Sequence, residues 1–447
     1  MSRAGRVALL LGALGMAAPS AHASLFDSYG YGARATAMGG AMTAQSTNYD
    51  AVYYNPANLL TRKAAHFGFG FNVLAPQLSV DRLSGEGPFE PKLPEPNVGF
   101  QLGAATALGG VFAERIAFGV TLFHPLLRLT RIESIDPIQP TFYRYDSLPD
   151  KLILAFALAG EPLPWLRLGV GLQVLAGLGG GITTSVSLVE GVFSQEAIDI
   201  DVDANAGVTA GIAVGPLWGL RLGITWRSRL ELSYDVPIEV LLEEIGVLDV
   251  HIKGVSLFTP DQLAIGLSWE SAPPDMPGVT VEAGITWEHW SMAPSHLAAF
   301  DLTLDDSVIG ADPEQADHEP EDLISVHADA IPLGAIDTVT ARLGAEWRPV
   351  PCWAVRGGYV YRPTPLPNPV YQTNTMDASA HVLSLGGGFI FQGAEPSARS
   401  PLQIDVGVQL TVLTPRTVVK APEAALNGSY RFSGVVWNAT LDVRHDF

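Results

Sequence analysis

Apolar and polar residues alternate along most of this chain, in segments of about ten residues or more that are separated by turns. The last segment, Arg431 to Phe447, shows the pattern. Its apolar positions are Val435, Trp437, Ala439, Leu441 and Val443, and its polar positions are Asn438, Thr440, Asp442, Arg444 and Asp446. Because successive side chains of a strand point to opposite faces, the segment predicts a strand with one apolar and one polar face.

The same alternation recurs at 220–229, 279–288, 339–348 and 402–412. A soluble antiparallel sheet alternates as well, but its strands usually have about 5–6 residues. The chain also ends on Phe447, which resembles the aromatic C-terminal insertion signal of bacterial outer-membrane barrels. We therefore predict an all-β fold, a transmembrane antiparallel β-barrel of about 14 strands.

Roughly sixteen segments alternate, and the two weakest, 181–190 and 248–257, are expected to be spurious or parts of longer strands. Two other stretches fall outside the pattern. The stretch 241–246 is predicted to be a short surface helix. The stretch 300–322 is acidic and is predicted to be a solvated extracellular loop. Divalent-cation bridging near lipopolysaccharide is the alternative, although the spacing does not match a calcium-loop motif.

Residues 1–23 are predicted to be a signal peptide. A positively charged start precedes an apolar run, 7–18, of about a dozen residues, which is too short to cross a bilayer as a helix. The small residues Ala21 and Ala23 fit the cleavage rule, so the mature chain is expected to begin at Ser24. The chain is therefore predicted to be exported to the bacterial outer membrane.

Composition excludes several classes of function. Lys and Arg total 26 against 46 Asp and Glu, a formal charge of −20, which suits nucleic-acid binding poorly because phosphates need cations. Cys352 is the only cysteine, so a disulfide scaffold and a cysteine-based metal cluster are excluded. The ten histidines are scattered, with no His-x-x-x-His or Gly-x-Ser-x-Gly motif. We predict no enzymatic activity, no metal site and no cofactor.

The stretch 24–60 is rich in glycine, alanine and polar residues and has no long apolar stripe with which to bury a core. Ahead of a barrel, such a stretch predicts a hatch. Gly39 and Gly40 allow close approach of backbone. Pro56 fixes its own φ and biases Asn55 towards extended conformations, where the Asn55 side chain can bond neighbouring backbone. An ordinary turn at these residues is the alternative.

These residues resemble the FadL-type outer-membrane transporters of long-chain fatty acids and aromatic hydrocarbons. The resemblance starts at Leu25 and Phe26, and Asn55, Pro56 and Ala57 match the motif of the family's hatch. It continues to the aromatic terminus through short motifs at 225–230, 258–260, 286–291, 341–344, 357–359 and 363–365. It therefore covers the whole mature chain, and it is weakest in the middle, at 181–257.

The resemblance implies a barrel, 61–447, with the hatch, 24–60, inside it. It implies passive uptake of a hydrophobic molecule that is captured outside, held in an inner pocket and released sideways near an inward-kinked strand after the hatch shifts. Phe26 would then contact ligand, and a frayed tail is the alternative. Arg227, within the motif at 225–230, is the candidate contact for a carboxylate head group, and pairing with an inward acid is the alternative.

The physical reason for such a route stands apart from the resemblance, since an apolar pocket stabilises a hydrophobic ligand by ~25 cal/mol for each Å² removed from water. The expected partners are the ligand, outer-membrane lipid and lipopolysaccharide, and the barrel-assembly machinery through Phe447. The protein is expected to be a monomer. Two other functions stay open. One is a protein-docking component of a secretion or assembly system, and the other is an acyl hydrolase, which would need a clustered Ser, His and acid.

Overall fold

The structure is a computed structural model. It describes residues 30–86, 89–126, 139–146, 152–187, 192–242, 246–273, 276–295, 299–305, 322–329, 332–369, 373–391, 401–420 and 428–447. Within these ranges, no helix combines the length and the apolar character needed to cross a membrane.

Strands dominate the described residues. In chain order they are β1 (His66–Arg82), β2 (Asn97–Ala107), β3 (Ile116–Pro125), β4 (Thr141–Phe142), β5 (Ile153–Leu163), β6 (Leu166–Ser187), β7 (Val192–Leu217), β8 (Leu220–Arg227), β9 (Leu230–Leu242), β10 (Gly246–Thr259), β11 (Gln262–Glu270), β12 (Gly278–Glu288), β13 (Ala299–Asp305), β14 (Asp322–Ala328), β15 (Thr338–Val350), β16 (Trp353–Arg362), β17 (Thr375–Met376), β18 (Ala380–Phe391), β19 (Leu402–Val418) and β20 (Tyr430–Asp446).

Fourteen of these strands close into an antiparallel barrel, which confirms the predicted fold class. Their order around the barrel is β1, β2, β3, β5, β6, β7, β8, β11, β12, β15, β16, β18, β19 and β20. The cylinder is closed by β1 and β20, which pair from His66 and Asp446 at one end to Arg82 and Tyr430 at the other.

The two faces of the wall follow the predicted alternation. On β20, Trp437 and Leu441 are each 43% exposed on the outside, whereas Asn438 and Asp442 are buried on the inside. On β1, Phe69 is exposed in the same way. Membrane strands need an apolar outer band of this kind, because their outer side chains contact lipid.

The short turns mark one end of the barrel. Turns at 164–165, 218–219 and 351–352 join neighbouring strands there, whereas connections at the other end, such as 83–96 and 363–379, are long. In outer-membrane barrels the short turns face the periplasm. Phe447 lies at this end, where its backbone N–H donates to the carbonyl of Ala65 at 2.8 Å and its side chain is 71% exposed.

The remaining four of the eighteen strands in the main sheet extend it beyond the extracellular end. They pair antiparallel in the order β9, β10, β13, β14. Strand β9 also pairs in parallel with the end of β6, from Ile182 to Val186. We call β9, β10, β13 and β14 the extracellular sheet.

This sheet corrects several predictions. The predicted helix at 241–246 is wrong, because β9 runs to Leu242 and β10 begins at Gly246, while 243–245 lie outside the described residues. The predicted loop at 300–322 is wrong at both ends, which are β13 and the start of β14, and 306–321 lie outside the described residues. The acids of β13 alternate with apolar residues such as Leu302 and Leu304, which lie opposite residues of β10. This strand pairing, and not the acidic composition, determines the structure.

The two weak segments have different outcomes. The segment 181–190 is not a strand of its own, because β6 runs through it as far as Ser187, and 188–190 lie outside the described residues. The segment 248–257 is a true strand within β10, but it lies in the extracellular sheet rather than in the barrel. Their alternation is typical of strands in either position, so sequence alone does not separate the two.

One face of the extracellular sheet is apolar. Its cross-strand neighbours are Val236, Ile238, Val240, Leu248, Val250, Ile252, Leu302, Leu304, Ile324 and Val326. Strand β9 is unbroken from Leu230, which is buried in the core cluster of the barrel interior. Because alternate residues of a strand share a face, the apolar face continues the interior side of the barrel rather than its lipid side.

The first described residues lie inside the barrel, and we call residues 30–60 the inner segment. It contains α1 (Ala33–Ala37), α2 (Ala51–Tyr54) and a 3₁₀ helix (Pro56–Leu60). Helix α1 packs on β16, β18, β19 and β20, and the 3₁₀ helix packs on β2, β3, β5, β6 and β7. Nearly all of its residues are buried. The other helical turns are α3 (Tyr143–Asp146) and the 3₁₀ turns Gly110–Phe112 and Trp290–Met292.

Candidate functional site in the barrel interior

Glycines on the inner face of the wall provide the seat of the inner segment. A Cβ at Gly344 would lie 2.7 Å from the carbonyl oxygen of Met38, and one at Gly119 would lie 2.7 Å from a methyl of Val52. Such distances are too short for real side chains, so the inner segment rests on bare backbone. We call these residues the glycine belt: Gly68, Gly103, Gly119, Gly169, Gly211, Gly223, Gly266, Gly344, Gly358, Gly386 and Gly407.

Asn55 and Pro56 form a bonded corner of the inner segment. Asn55 has extended backbone, φ −163° and ψ 103°, as predicted from the proline that follows it. Its Oδ1 accepts the N–H of Ala57 at 3.1 Å, and its Nδ2 donates to the carbonyls of Thr43 at 2.9 Å and Ile212 at 3.1 Å. Asn55 therefore ties two parts of the inner segment to strand β7, and its role in gating stays a prediction.

Gly39 and Gly40 end helix α1. Their φ angles are +64° and +70°, in the left-handed region that glycine adopts most readily. A Cβ at Gly39 would lie 3.1 Å from a methyl of Val360 on β16. These two positions therefore need glycine for conformation, and Gly39 also needs it for space.

Buried carboxylates of the wall hold the inner segment by hydrogen bonds. The Nε of Arg34 donates to Glu346 of β15 at 3.0 Å, and the backbone N–H of Ala44 donates to Glu282 of β12 at 2.9 Å. On β20, Asp442 accepts the N–H of Ala33 at 2.5 Å. Hydrogen bonds to charged groups contribute about 1.5–3 kcal/mol each. The inner segment is therefore held at three separate strands as well as by packing.

The interior becomes apolar on the extracellular side of the inner segment. Along β20 the inward residues change from Asp442 and Asn438 to Val436 and Phe432. These inward side chains pack into one buried cluster, which we call the apolar chamber, and its wall residues are Leu74, Leu78, Phe123, Ile153, Leu175, Leu413, Phe432 and Val436. Tyr31 and Tyr54 of the inner segment belong to the same cluster and form the chamber's floor.

Two inward loops fill the extracellular end of the chamber. Strand β4 pairs in parallel with β17, and Phe142 and Met376 on these strands are fully buried. Helix α3 follows β4 and carries Arg144, whose Nε lies 3.7 Å from the carboxylate of Asp377. The Arg144 guanidinium also lies 5.1 Å from the centroid of the Trp290 ring. We call β4, α3 and β17 the outer plug.

The predicted ligand residues have different positions. Arg227 is buried on the inner face of β8, where it donates to Gln262 at 2.8 Å and lies over the Tyr53 ring at 4.5 Å. Ligand contact by Arg227 stays a prediction. Another inward arginine, Arg444 of β20, pairs with an acid and donates to Asp446 at 2.9 Å. Phe26 lies outside the described residues.

Comparison with known proteins gives a consistent answer. No family model matches the chain. Over 438 residues it is 22% identical to alkane uptake protein A of Marinobacter nauticus, covering 92% of this chain and 88% of that protein. Among solved structures, it matches a FadL homologue of Pseudomonas aeruginosa with a TM-score of 0.55 at 14% identity, covering 96% of this chain and 98% of that one. The chain has the FadL fold.

Two further structures of the FadL fold agree. The toluene transporter TodX of P. putida matches with a TM-score of 0.57 at 17% identity, covering 93% of this chain and 98% of that one. The monoaromatic hydrocarbon channel CymD matches with a TM-score of 0.56 at 16% identity, covering 93% and 97%. The resemblance noted in the sequence is thereby confirmed, and the barrel belongs to the bacterial outer membrane.

Sequence reasoning missed much of the contact surface in this FadL-fold barrel. It did not single out the glycine belt, the partnership of Arg34 with Glu346, or the outer plug. The belt had a visible signal, because its glycines occupy inward positions of the strand alternation, such as Gly407 between Val406 and Val408. Among the described residues, no group of His, Cys, Asp and Glu side chains is arranged to hold a metal ion.

Proposed function

We propose that this protein is a passive channel through which hydrophobic small molecules enter across the outer membrane, with the inner segment as its hatch. The apolar chamber between the inner segment and the outer plug carries this proposal. An aromatic ring buries about 150–250 Å² when enclosed, which at ~25 cal/mol per Å² is about 4–6 kcal/mol in favour of entry. A water-filled pore would give no such preference.

The ligand class is supported by the similar proteins. One is named for alkane uptake, and two others for transport of toluene or monoaromatic hydrocarbons. An apolar chamber suits alkanes, aromatics and the chains of fatty acids equally, because hydrophobic stabilisation depends on the apolar area removed from water and has no direction. The proposed substrates are therefore hydrocarbons or long-chain fatty acids.

The extracellular sheet is proposed to deliver these molecules. Its apolar face continues from Leu230 in the interior to Ile324 and Val326, which are 50% and 54% exposed. A hydrophobic molecule that adsorbs on this face therefore remains on apolar surface as far as the barrel mouth. Displacement of the outer plug would then open the chamber.

The exit is proposed to be lateral, through the wall between β7 and β8. An intact part of the wall serves for comparison, because β3 keeps continuous register with both β2 and β5 over the described residues. By contrast, the ladder of β7 with β8 ends at Thr209 and Arg227, above which Val208 and Ser228 exchange two hydrogen bonds of 2.7 Å and Asn205 donates to the carbonyl of Glu231. This break lies beside Tyr53 of the hatch, so movement of the hatch would uncover it.

Uptake by a deletion strain tests the function. The strain is complemented with the wild type, with Leu78→Asn in the chamber, or with Ser79→Asn, the next residue, which is exposed on the other face of β1. We expect saturable uptake of radiolabelled alkane, toluene or oleate to return with the wild type and Ser79→Asn and to fall several-fold with Leu78→Asn. Undiminished saturable uptake of all three substrates in the deletion strain would overturn the proposal.

A further inference from the structure

The outer plug turns an apolar face towards the chamber. Strands β4 and β17 pair in parallel, so that Thr141 lies beside Thr375 and Phe142 lies beside Met376. Because alternate residues of a strand point to opposite faces, Phe142 and Met376 share one face of this small sheet. Both side chains are fully buried, and both belong to the same cluster as the wall of the apolar chamber. The plug therefore places one ring and one thioether side chain inside the chamber.

The Phe142 ring lies among aromatic side chains. Its centroid is 5.7 Å from that of Phe432 on β20, and the two ring planes meet at 85°. Aromatic pairs prefer such edge-to-face contacts, because the positive edge of one ring meets the negative face of the other. Tyr145 of α3 and Tyr430 of β20 are buried in the same cluster. The position is therefore shaped for an aromatic ring.

The backbone that carries this ring has few hydrogen bonds. Strands β4 and β17 have two residues each, whereas β1 and β20 of the wall have 17 residues each. Next to the paired residues, the N–H of Thr141 donates to the carbonyl of Asn374 at 3.1 Å, and the N–H of Lys92 donates to that of Pro140 at 2.9 Å. Segments with so few backbone bonds open locally more easily than long strands. The plug can therefore leave the chamber without disturbing the wall.

A free aromatic molecule and the Phe142 ring compete for the same apolar surface. A ring buries about 150–250 Å² when it is enclosed. Hydrophobic stabilisation depends on the area removed from water and has no direction, so an entering ring of similar size gains about as much as Phe142 loses. A ligand can therefore occupy the chamber by exchange, without the opening of a new cavity.

We propose that Phe142 occupies the binding site of an aromatic ligand in the apolar chamber and leaves this site when the ligand binds. The ligand is an aromatic ring with a short apolar substituent, which takes the place of Met376. A saturated ring of the same size removes a similar area from water but lacks the edge-to-face contact with Phe432. This inference rests on the proposed channel function, which it extends by naming a ligand class and the residue that the ligand displaces.

The test uses the full-length protein purified in detergent, with para-fluorophenylalanine at a single position. One preparation carries the label at position 142. The matched preparation carries it at position 123 on β3, where a buried phenylalanine belongs to the chamber wall. Fluorine NMR follows each label during titration with toluene and with methylcyclohexane, at concentrations corrected for partition into the detergent. Heat-modifiable migration in gels shows that each barrel is folded.

We expect toluene to move the signal at position 142 towards that of solvent-exposed fluorophenylalanine, whereas the signal at position 123 shifts but stays typical of a buried ring. Methylcyclohexane should need about a 2- to 12-fold higher concentration, which is the factor that an aromatic pair contributes beyond its area. Read from the label at position 123, toluene should bind at least tenfold more tightly in Phe142→Ala. The affinity should stay unchanged in Phe258→Ala, which truncates a buried ring in a separate cluster around Trp290.

A response at position 123 without one at position 142 would overturn the proposal, because toluene would then bind with the plug in place. That result would leave the channel function intact. Equal potency of the two hydrocarbons would overturn the preference for an aromatic ring. If neither label responds up to the solubility limit of toluene, the proposal fails together with the role of the chamber in uptake.

Discussion

Replacement of Gly358 by alanine should loosen the inner segment. Gly358 belongs to the glycine belt on β16, and a Cβ there would overlap the backbone of Met38 and Gly39, with the Met38 carbonyl oxygen at 2.7 Å. The neighbouring Gly357 is a matched control, because its Cβ would have no neighbour closer than 3.8 Å. The two substitutions add the same methyl group to the same strand, one towards the inner segment and one away from it.

The expected magnitude follows from the overlap. Ordinary van der Waals contact begins near 3.4 Å, so the backbone at Met38 must move by several tenths of an ångström or more. Overpacking of this kind costs about 1–3 kcal/mol. If the seated state loses that much and the displaced state does not, the population of the displaced state rises about 5- to 150-fold.

Hydrogen exchange measures this population at the end of α1. The N–H of Gly40 donates to Ala35 at 2.8 Å and that of Ala41 to Met38 at 3.2 Å. Because a helix of five residues is not stable without packing, both amides lose their protection when the segment leaves the wall. Exchange of these amides should accelerate about 5- to 150-fold in Gly358→Ala. Gly357→Ala should leave it unchanged. Unaltered exchange in Gly358→Ala, or equal acceleration in both variants, would refute the seating role of the belt.

Three other perturbations have expected outcomes. Asn55→Ala removes a capping side chain and should destabilise the folded inner segment by about 0.5–2 kcal/mol. Proteolysis of the inner segment should then be several-fold faster, and an unaltered rate is the contrary result. Glu346→Gln removes a carboxylate that Arg34, Arg348 and Arg356 share, a loss of buried ion pairing that costs about 3–5 kcal/mol, and should expose Arg34 to trypsin, with unchanged resistance at Arg34 as the contrary result. The hydrogen bonds that His327 donates to the carboxylates of Asp301 and Asp329 raise the pKa of His327 above its usual 6.5. Protonated His327 therefore stabilises β14 fully below pH 6.5, and this is lost as pH rises through the raised pKa. Hydrogen exchange of the β14 amides, corrected for intrinsic rates, should become faster as the pH rises from 6.5 through the raised pKa in the wild type, but not in His327→Ala.

The barrel was largely predictable from sequence because its strands face two different media. On β20 the alternation of Trp437 and Leu441 with Asn438 and Asp442 predicts both the strand and the direction of each side chain. The extended backbone at Asn55 was also predictable, since the following proline imposes it locally. Local rules of this kind need no knowledge of distant residues.

The contacts of the interior were not predictable in the same way. Arg34 and Glu346 are separated by 312 positions in the chain, and no local pattern brings them together. The extracellular sheet alternates like the barrel strands, so only its pairing shows that β9 leaves the cylinder after Arg227. The acidic composition of 300–322 predicts a loop, whereas the alternation of Leu302 and Leu304 with polar residues is typical of the strand that forms there.

Conductance in planar bilayers tests most directly whether the bore is closed by the chain's own leading segment. The intact protein is compared with a barrel from which residues 24–60 have been removed and whose folding is verified by heat-modifiable migration. We expect little ion conductance for the intact protein and a large increase for the truncated barrel, together with loss of saturable hydrocarbon uptake in cells. A folded truncated barrel that stays as impermeable to ions as the intact protein would contradict it.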